Sequence, residues 1–321
     1  MFNAPWSMSP RRSTVVAARL LAALLLALSI FSQAAWAQDP AAPVRQRPLE
    51  LPPEEVVSFD TKDGVRLVAT YYPGTKGKDS VPIIMLHGSM GNRADFHGLA
   101  RHMQEQGHAV IVPDLRGHGE STIVQGTTKK LSADTMPVRQ YAYMVQLDVE
   151  RVKSFLLDQH RDQKLNIDKL VVVGAEVGAL IAMNWTAIDW SWPVLATGKQ
   201  GQDVKAVVLI SPVQSDKGLR MTTATAHPAV RKMVSVYIVM GSGDPKFLKE
   251  SRQLYKALER DREKPDDPEQ MTLFIDERET QLQGTSLLGE PSLELQERIA
   301  AFIQMRVINQ NIPWKERRRP L

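Results

Sequence analysis

Three loops carry residue types that could take part in catalysis, and each loop follows a short apolar run. Residues 87–92 read HGSMGN, residues 113–121 read PDLRGHGES, and residues 174–178 read GAEVG. Histidine, serine and carboxylate side chains are common nucleophiles and general acids or bases in proteins. In open α/β sheets, ligands bind beyond the carboxyl ends of the strands. The sequence therefore predicts that these three loops lie at one edge of a sheet.

The elements that must position these loops are short runs rich in valine and isoleucine, which are typical of strands buried on both faces. They cover residues 81–86, 109–112, 170–173, 204–210, 234–240 and 271–275, after a predicted hairpin of 56–60 and 65–72 joined by a DG turn at 62–64. Helical patterns lie at 96–106, 139–160, 179–187, 246–258 and 292–307. This alternation predicts one α/β domain, residues 54–310, with a mostly parallel, doubly wound sheet and an antiparallel N-terminal edge.

The first two loops resemble those of the α/β-hydrolase superfamily, in its serine hydrolase or lysophospholipase-like branch. The loop at 87–92 resembles the oxyanion loop of that family, and the loop at 113–121 resembles its DxRGxGxS turn. The resemblance extends over residues 54–307 and implies the α/β-hydrolase fold with a short cap. The family carries its nucleophilic serine on a tight GxSxG turn between a strand and a helix. Here GAEVG stands at that place, with Glu176 at the nucleophile position.

The other members of the family's catalytic triad are also affected. The resemblance places the acid at Asp244, in the sequence GSGDP of residues 241–245. The base should follow the last strand, but Gln283 stands there, and no histidine occurs after His227. A serine needs a base to take its proton, and an acyl intermediate needs one to activate water. These losses predict a catalytically inactive pseudohydrolase that serves as a binding or scaffold domain.

An enzyme that uses Glu176 in place of the serine is the alternative. It would hydrolyse a small ester, amide or similar substrate, assisted by Asp244 or a mobile histidine. Relatives similar to haloalkane dehalogenases and epoxide hydrolases use a carboxylate nucleophile, but they carry aspartate and keep the histidine. The alternative requires a carboxyl group with a perturbed pKa in a water-poor cleft.

Glu176 also has a non-catalytic interpretation, because it opens a predicted helix. The free N–H groups and the dipole at a helix N-terminus favour an anion. A carboxylate there is expected to satisfy donors that would otherwise stabilise an oxyanion. The predicted pocket-facing donors are the backbone N–H groups of Ser89, Met90 and Val177. On this interpretation, which the missing base favours, Glu176 plugs its own site.

The remaining histidines have less specific interpretations. His87 and His118 are predicted to hold turns rather than to carry protons, since neither lies where the base should be. His227 lies in residues 215–232, which correspond to the cap of the family, and would reach the site only if that segment folded back.

We call the GAEVG turn at residues 174–178 the elbow. Three tryptophans, Trp185, Trp190 and Trp192, cluster after the elbow and its predicted helix. Large aromatic side chains usually contribute to a core, so we expect them to pack against the sheet. The alternative is an exposed aromatic patch for a partner or ligand.

The N-terminus has the composition of an export signal. Three arginines precede an apolar run at residues 20–30, and the small-x-small sequence AWA follows at 35–37. This predicts a signal peptide at 1–37 and a flexible linker at 38–53, with the mature protein in the periplasm or outside the cell. A retained anchor is the alternative, but the run is shorter than the ~20 residues that span a bilayer, so we expect no stable membrane span after cleavage.

Composition excludes several classes of site. The formal charge is +4, and three of these charges belong to the leader arginines, which leaves +1 and argues against a nucleic-acid partner. The chain has no cysteine, no recognisable metal-ligand spacing and no phosphate-binding glycine loop, so we expect neither a metal nor another cofactor. Residues 311–321 are predicted to form a basic, solvated C-terminal tail. The partner is left open between a small molecule and another protein.

Overall fold

The computed structural model describes residues 51–128, 130–196 and 198–317. Of two compact units into which the chain divides, Glu50–Leu321 contains the described residues. The predicted signal peptide and most of the predicted linker lie outside the described residues. Within the ranges that are described, no helix is both long and apolar enough to cross a bilayer.

A mixed sheet runs through the described part of the chain. Its strands are β1 (Glu55–Asp60), β2 (Val65–Tyr72), β3 (Pro82–Leu86), β4 (Ala109–Pro113), β5 (Ile123–Val124), β6 (Leu170–Ala175), β7 (Val204–Ile210), β10 (Ser235–Gly241) and β11 (Leu273–Arg278), and a separate hairpin contains β8 (Ser215–Asp216) and β9 (Leu219–Arg220). The spatial order is β1-β2-β4-β3-β6-β7-β10-β11, with β5 paired to β2. The pairs from β4 to β11 are parallel, and those made by β2 are antiparallel. The predicted sheet is confirmed.

The helices lie on both faces of this sheet, as a doubly wound fold requires. They are α1 (His97–Glu105), α2 (Arg139–Tyr143), α3 (Val149–Arg161), α4 (Val177–Ser191), α5 (Met221–Thr225), α6 (Pro228–Lys232), α7 (Pro245–Glu259) and α8 (Leu295–Ile303). One apolar core contains side chains of α3, α4 and α7, and the other contains side chains of α1 and α8. Helix α4 is apolar on nearly all sides because it is almost entirely buried.

Two helices include a π-helical turn. Short 3-10 turns connect several of the other elements. A π-helical turn, Met144–Asp148, joins α2 to α3, so the predicted helix at 139–160 is continuous. A second π-helical turn, Gln304–Ile308, extends α8. The 3-10 turns are Gly77–Asp79, Arg93–Phe96, Ile167–Lys169, Pro268–Gln270, Gly284–Gly289 and Pro291–Leu293. The predicted short cap is confirmed as β8, β9, α5 and α6.

The C-terminal segment packs against the domain where the parallel strands β6 and β7 begin. Arg317 is buried, and its guanidinium nitrogen lies 2.8 and 2.9 Å from the two carboxylate oxygens of Asp203. The carbonyl of Lys315 accepts a hydrogen bond from Nε2 of His160 at 2.9 Å. The prediction of a solvated terminus is wrong for Arg317. Its guanidinium group supplies the cation that the buried carboxylate of Asp203 needs. The run of three arginines in the sequence does not reveal this pairing.

A buried network of charges continues from Asp203 to the end of the elbow helix. Lys153 lies 2.5 Å from Asp189, on α4, and 2.8 Å from Asp203. Lys199 reaches Asp203 at 2.8 Å. Asp189 also accepts hydrogen bonds from the backbone N–H groups of Asp203 and Val204. Since buried charges are tolerated only when paired, this network fixes α3 and α4 to the start of β7.

Candidate functional site

The turn between β6 and α4 has the geometry of a nucleophile elbow. Glu176 has φ +52° and ψ −113°, a conformation that non-glycine residues rarely adopt. A Cβ on Gly178 would lie 2.2 Å from the carbonyl oxygen of Leu86, and one on Gly174 would lie 2.4 Å from that of Gly178. Both glycines are therefore required by the close approach of α4 to the strands. The backbone of the elbow therefore has the usual geometry, with glutamate at the position of the nucleophilic serine.

The carboxyl group of Glu176 lies between two loops. A Cβ on Gly88 would lie 2.5 Å from its Oε2 atom, and a Cβ on Gly284 would lie 2.5 Å from its Oε1 atom. Gly88 belongs to the loop after β3, and Gly284 directly follows Gln283. Among the described residues, the carboxyl group makes no hydrogen bond or ion pair within the protein. Because glycine has no side chain, these two positions provide the space that the Glu176 carboxyl group occupies.

The surroundings of Glu176 raise its pKa. Burial is the largest cause, and the negative charges of Asp216 and Asp95 act in the same direction, whereas Lys246 opposes them. Glu176 therefore keeps its proton to a higher pH than a solvated glutamate does. Asp216 comes from β8 of the cap, and the hydroxyl of Ser89 donates to it at 3.4 Å. The sequence offered no motif that would have marked Asp216.

The loop after β3 is held in place, and backbone N–H donors of this loop and of the start of α4 have no acceptor among the described residues. The carbonyl of Ser89 accepts a hydrogen bond from Nε2 of His118 at 2.8 Å. In the part of the chain that is described, the backbone N–H groups of Ser89, Met90 and Val177 have no acceptor within the protein. These are the donors that the sequence predicted for an oxyanion. Their convergence on a ligand stays a prediction.

His87 and His118 hold turns, as predicted. His87 is fully buried; its Nδ1 atom donates to the carbonyl of Gly88 at 2.7 Å, and its Nε2 atom accepts from the N–H of Leu115 at 2.9 Å. Burial lowers the pKa of His87 to about 4, so the ring is neutral at physiological pH. The ring nitrogens of His118 bond to the carbonyls of Arg116 and Ser89. Neither histidine offers a nitrogen to Glu176.

His227 and Asp244 each cap a helix. The Nδ1 atom of His227 accepts from the N–H of Ala229 at the start of α6. Asp244 follows β10, where the family's acid was expected, and its Oδ1 atom accepts from the N–H groups of Lys246 and Phe247 at 2.8 and 3.3 Å. Neither side chain forms a hydrogen bond or an ion pair with Glu176 in the described structure. This geometry does not test whether Asp244 takes part in catalysis, and that role stays a prediction.

Gln283 occupies the end of the sheet where the histidine was expected. Its Oε1 atom accepts from the hydroxyl of Ser211 at 2.7 Å and from the N–H of Gly241 at 3.3 Å. Its Nε2 atom donates to the carbonyl of Gly241 at 2.8 Å. The amide thus joins the end of β10 to the residue after β7. An amide has no proton-accepting nitrogen, so it cannot act as the base.

A sequence model described as the alpha/beta hydrolase fold matches residues 81–235. The chain has the α/β-hydrolase fold, and this match supports its membership of the α/β-hydrolase superfamily. The match includes the loop after β3, the elbow and the cap, and it ends where β10 begins.

Similar proteins include a lipase and two esterases. The sn-1-specific diacylglycerol lipase ABHD11 of Danio rerio is 32% identical over 127 residues, which cover 39% of this chain and 32% of that relative. An uncharacterized protein of Mycobacterium tuberculosis is 33% identical over 79 residues, 25% of this chain and 28% of its own length. These alignments span about a third or less of the relatives.

Solved structures extend the similarity to most of the domain. The Pyrococcus furiosus esterase Pf2001 superposes with a TM-score of 0.57 at 16% identity, covering 79% of this chain and 93% of its own. The esterase domain of a Rhodothermus marinus protein gives a TM-score of 0.52 at 13% identity, covering 80% and 100%. At these identities the similarity shows the fold alone.

Two cavities lie on the surface of the described domain. One, of about 430 Å³, is lined by Gln214, Pro245, Lys246, Lys249, Glu250 and Gln253. The other, of about 360 Å³, is lined by residues that include Tyr72, Arg93 and His97. Glu176 lines neither cavity. Within the described residues, no group of three or more histidine or acidic side chains is arranged to hold a metal ion.

Proposed function

We propose that this α/β-hydrolase is a pseudohydrolase that serves as a binding or scaffold domain. The observation that carries the proposal is the position of the Glu176 carboxyl group, which lies between Gly88 and Gly284 and makes no hydrogen bond or ion pair with the described residues. In a serine hydrolase, the substrate carbonyl must enter this region, between the elbow and the oxyanion loop. The glutamate side chain takes up that space.

The charges around the elbow support the same conclusion. Ester hydrolysis passes through an oxyanion, which active sites stabilise with positive charge or N–H donors. Here Asp216 and Asp95 act on Glu176 as negative neighbours. An oxyanion beside these carboxyl groups would be repelled, whereas a neutral or cationic group would not. Gln283 provides no base to offset this cost.

A second candidate is a hydrolase that uses Glu176 itself. It is favoured by the raised pKa of Glu176, because burial and negative neighbours shift the pKa of this carboxyl group in the direction that suits acid or base catalysis. The esterases and the lipase to which the chain is similar make esters the first substrate class to examine. This candidate still needs a group to resolve any ester formed on Glu176.

Hydrolysis of short- and medium-chain aryl esters distinguishes the two candidates. We expect the native protein and Glu176→Gln to give the same rate, close to that of the uncatalysed reaction. Equal circular dichroism spectra would establish that both are folded. Repeated turnover by the native protein, lost in Glu176→Gln, would instead establish the second candidate.

Export is also part of the proposal. The arginines, the apolar run at 20–30 and the AWA sequence support cleavage after Ala37. The mass of the protein recovered from the periplasm or the medium should correspond to a chain that starts at Gln38. Recovery of a full-length chain in the membrane fraction would contradict cleavage.

A further inference from the structure

Lys205 is a partly buried lysine that has no carboxylate partner. It is the second residue of β7, and its Nζ atom donates to the carbonyl of Gln202 at 2.6 Å. The same atom lies 5.1 Å from the ring centroid of Trp190, on α4. Among the described residues, Lys205 forms no ion pair. An ammonium group is stable when water or a carboxylate surrounds it, and this position has no carboxylate bound and reduced access to water.

Trp190 is one of the three tryptophans that the sequence predicted to pack against the sheet. Trp185 is fully buried, and Trp190 is partly buried with its Nε1 atom donating to the carbonyl of Val204 at 2.9 Å. The prediction does not hold for Trp192, which is 43% exposed. The hydrogen bond to Val204 fixes the ring of Trp190 at the start of β7, where it lies beside the nitrogen of Lys205.

The buried network of ion pairs next to Lys205 is already balanced in charge. In the part of the chain that the structure describes, the network consists of three carboxylates and three cations, which are Asp168, Asp189, Asp203, Lys153, Lys199 and Arg317. Each carboxylate has a cation within 2.5–2.8 Å. Lys205 is therefore a further cation beside carboxylates that do not need it.

These surroundings favour the uncharged form of the amine. Burial lowers the pKa of Lys205 to about 8, and the positive charge of Lys199 acts in the same direction. The carboxylates of the network oppose both effects, and these are Asp203, Asp168 and Asp189. Because they are already paired, they offset only part of the cost of burial. A lysine that is desolvated and next to another cation is an activated nucleophile.

We propose that Lys205 is an acylation site, at which the uncharged amine accepts the acyl group of an activated ester. The lone pair of Nζ attacks the carbonyl carbon of the ester, and a C–N bond forms. The C–O bond to the leaving group breaks, the leaving oxygen keeps the electron pair, and the nitrogen loses a proton to the solvent. The product is an amide, so each protein molecule is modified once and does not turn over.

Acylation of Lys205 would leave every carboxylate of the network paired. An amide carries no charge, and the network has its three cations without Lys205. Acylation of Lys153 or Lys199 would instead remove a cation from a buried aspartate, which is costly. The charge balance thus makes Lys205 the lysine of this region that can be modified without loss of an ion pair.

The proposed site is separate from the elbow. Ala175, directly before Glu176, pairs with Ile210 at the end of β7, whereas Lys205 lies at the start of that strand. The acylation step does not use Glu176. The proposal therefore stands or fails independently of the pseudohydrolase.

Acetylation of the full chain by p-nitrophenyl acetate tests the proposal. Peptide mass spectrometry would follow the modification of Lys205 and of Lys256, an exposed lysine on α7 that serves as the control. At neutral pH we expect Lys205 to react about tenfold faster, because a solvated lysine has a pKa of about 10.4 and is almost entirely charged. The rate at Lys205 should reach half of its plateau near a pH of about 8. Equal rates at the two lysines would overturn the proposal.

Lys199→Gln tests whether charge, rather than exposure alone, sets the reactivity. This change removes a positive neighbour of Lys205 and one cation of the network, so the pKa of Lys205 should rise. Acetylation at neutral pH should then slow severalfold, while Lys249→Gln, at an exposed position on α7, should leave the rate at Lys205 unchanged. Circular dichroism would establish that both variants are folded, and the pH profile of the native protein needs neither of them. An unchanged rate in folded Lys199→Gln would contradict the proposal.

Glu176→Gln separates direct acylation from transfer through the elbow. We expect Lys205 to be acetylated at the native rate in this variant. Loss of the modification would mean that the acyl group reaches Lys205 from an intermediate on Glu176. That result would overturn direct acylation and would support the hydrolase candidate instead.

Discussion

Replacing Arg116 with leucine should lower the free energy of unfolding by about 3–5 kcal/mol. The side chain of Arg116 is fully buried in the turn after β4. Its Nε atom lies 2.8 Å from Asp148, and its other nitrogens bond to Asp148, Asp63 and Gln140. Leucine would leave Asp148 buried without a cation. Chemical denaturation at neutral pH would measure the loss.

The loss should become smaller as the pH falls from 7 to 5. Burial raises the pKa of Asp148 from 3.8 to about 6, even though Arg116 opposes the shift. Without Arg116, that pKa should rise further. A raised pKa means that the folded protein binds a proton that the unfolded chain has already lost, so acidification favours the folded state over this range. The variant should gain more from it than the native protein.

Arg66→Leu provides the matched control. Arg66 pairs with Asp60 at 3.1 Å, but both side chains are exposed on the hairpin of β1 and β2. An exposed pair contributes about 0–1 kcal/mol, and this small effect should not change over the same pH range. Equal losses for Arg66→Leu and Arg116→Leu would show that the buried pair around Asp148 does not stabilise the fold as argued.

The sheet could be predicted from the sequence because its strands are buried on both faces. The runs at 65–72 and 204–210 match β2 and β7 at both ends. The DG turn at 62–64 was predictable as well, since Gly64 adopts φ +82° in the hairpin. Where the last strand lies partly exposed, the pattern was weaker, and β11 starts and ends later than the run at 271–275.

Contacts between residues distant in sequence could not be predicted in this way. The two-residue strand β5 depends on pairing with β2, and Arg317 is buried because of Asp203. At the site, the glycines of the elbow identified the position of Glu176. Its contact with Gly284 and the approach of Asp216 from the cap required the tertiary structure, because neither residue belongs to a local motif.

The double variant Glu176→Ser, Gln283→His should gain esterase activity. Serine would vacate the space between Gly88 and Gly284, and a histidine at position 283 would supply the missing base. Asp244 uses its Oδ1 atom to cap α7, and its Oδ2 atom has no hydrogen-bond donor among the described residues. We expect that atom to orient the new imidazole. A general base contributes about 10²–10⁴-fold to rate.

Three comparisons isolate the contribution of the restored groups. Release of nitrophenol from a short acyl ester should be about 10²-fold faster with the double variant than with Glu176→Ser alone. The variant Glu176→Ser, Gln283→Asn should match Glu176→Ser, because an amide cannot take the serine proton. Adding Asp244→Asn to the active double variant should reduce the rate if Asp244 orients the histidine. A double variant no faster than its asparagine counterpart would mean that a histidine at position 283 does not act as the base for the introduced serine, and that the protein has lost more of the hydrolase site than its nucleophile and base.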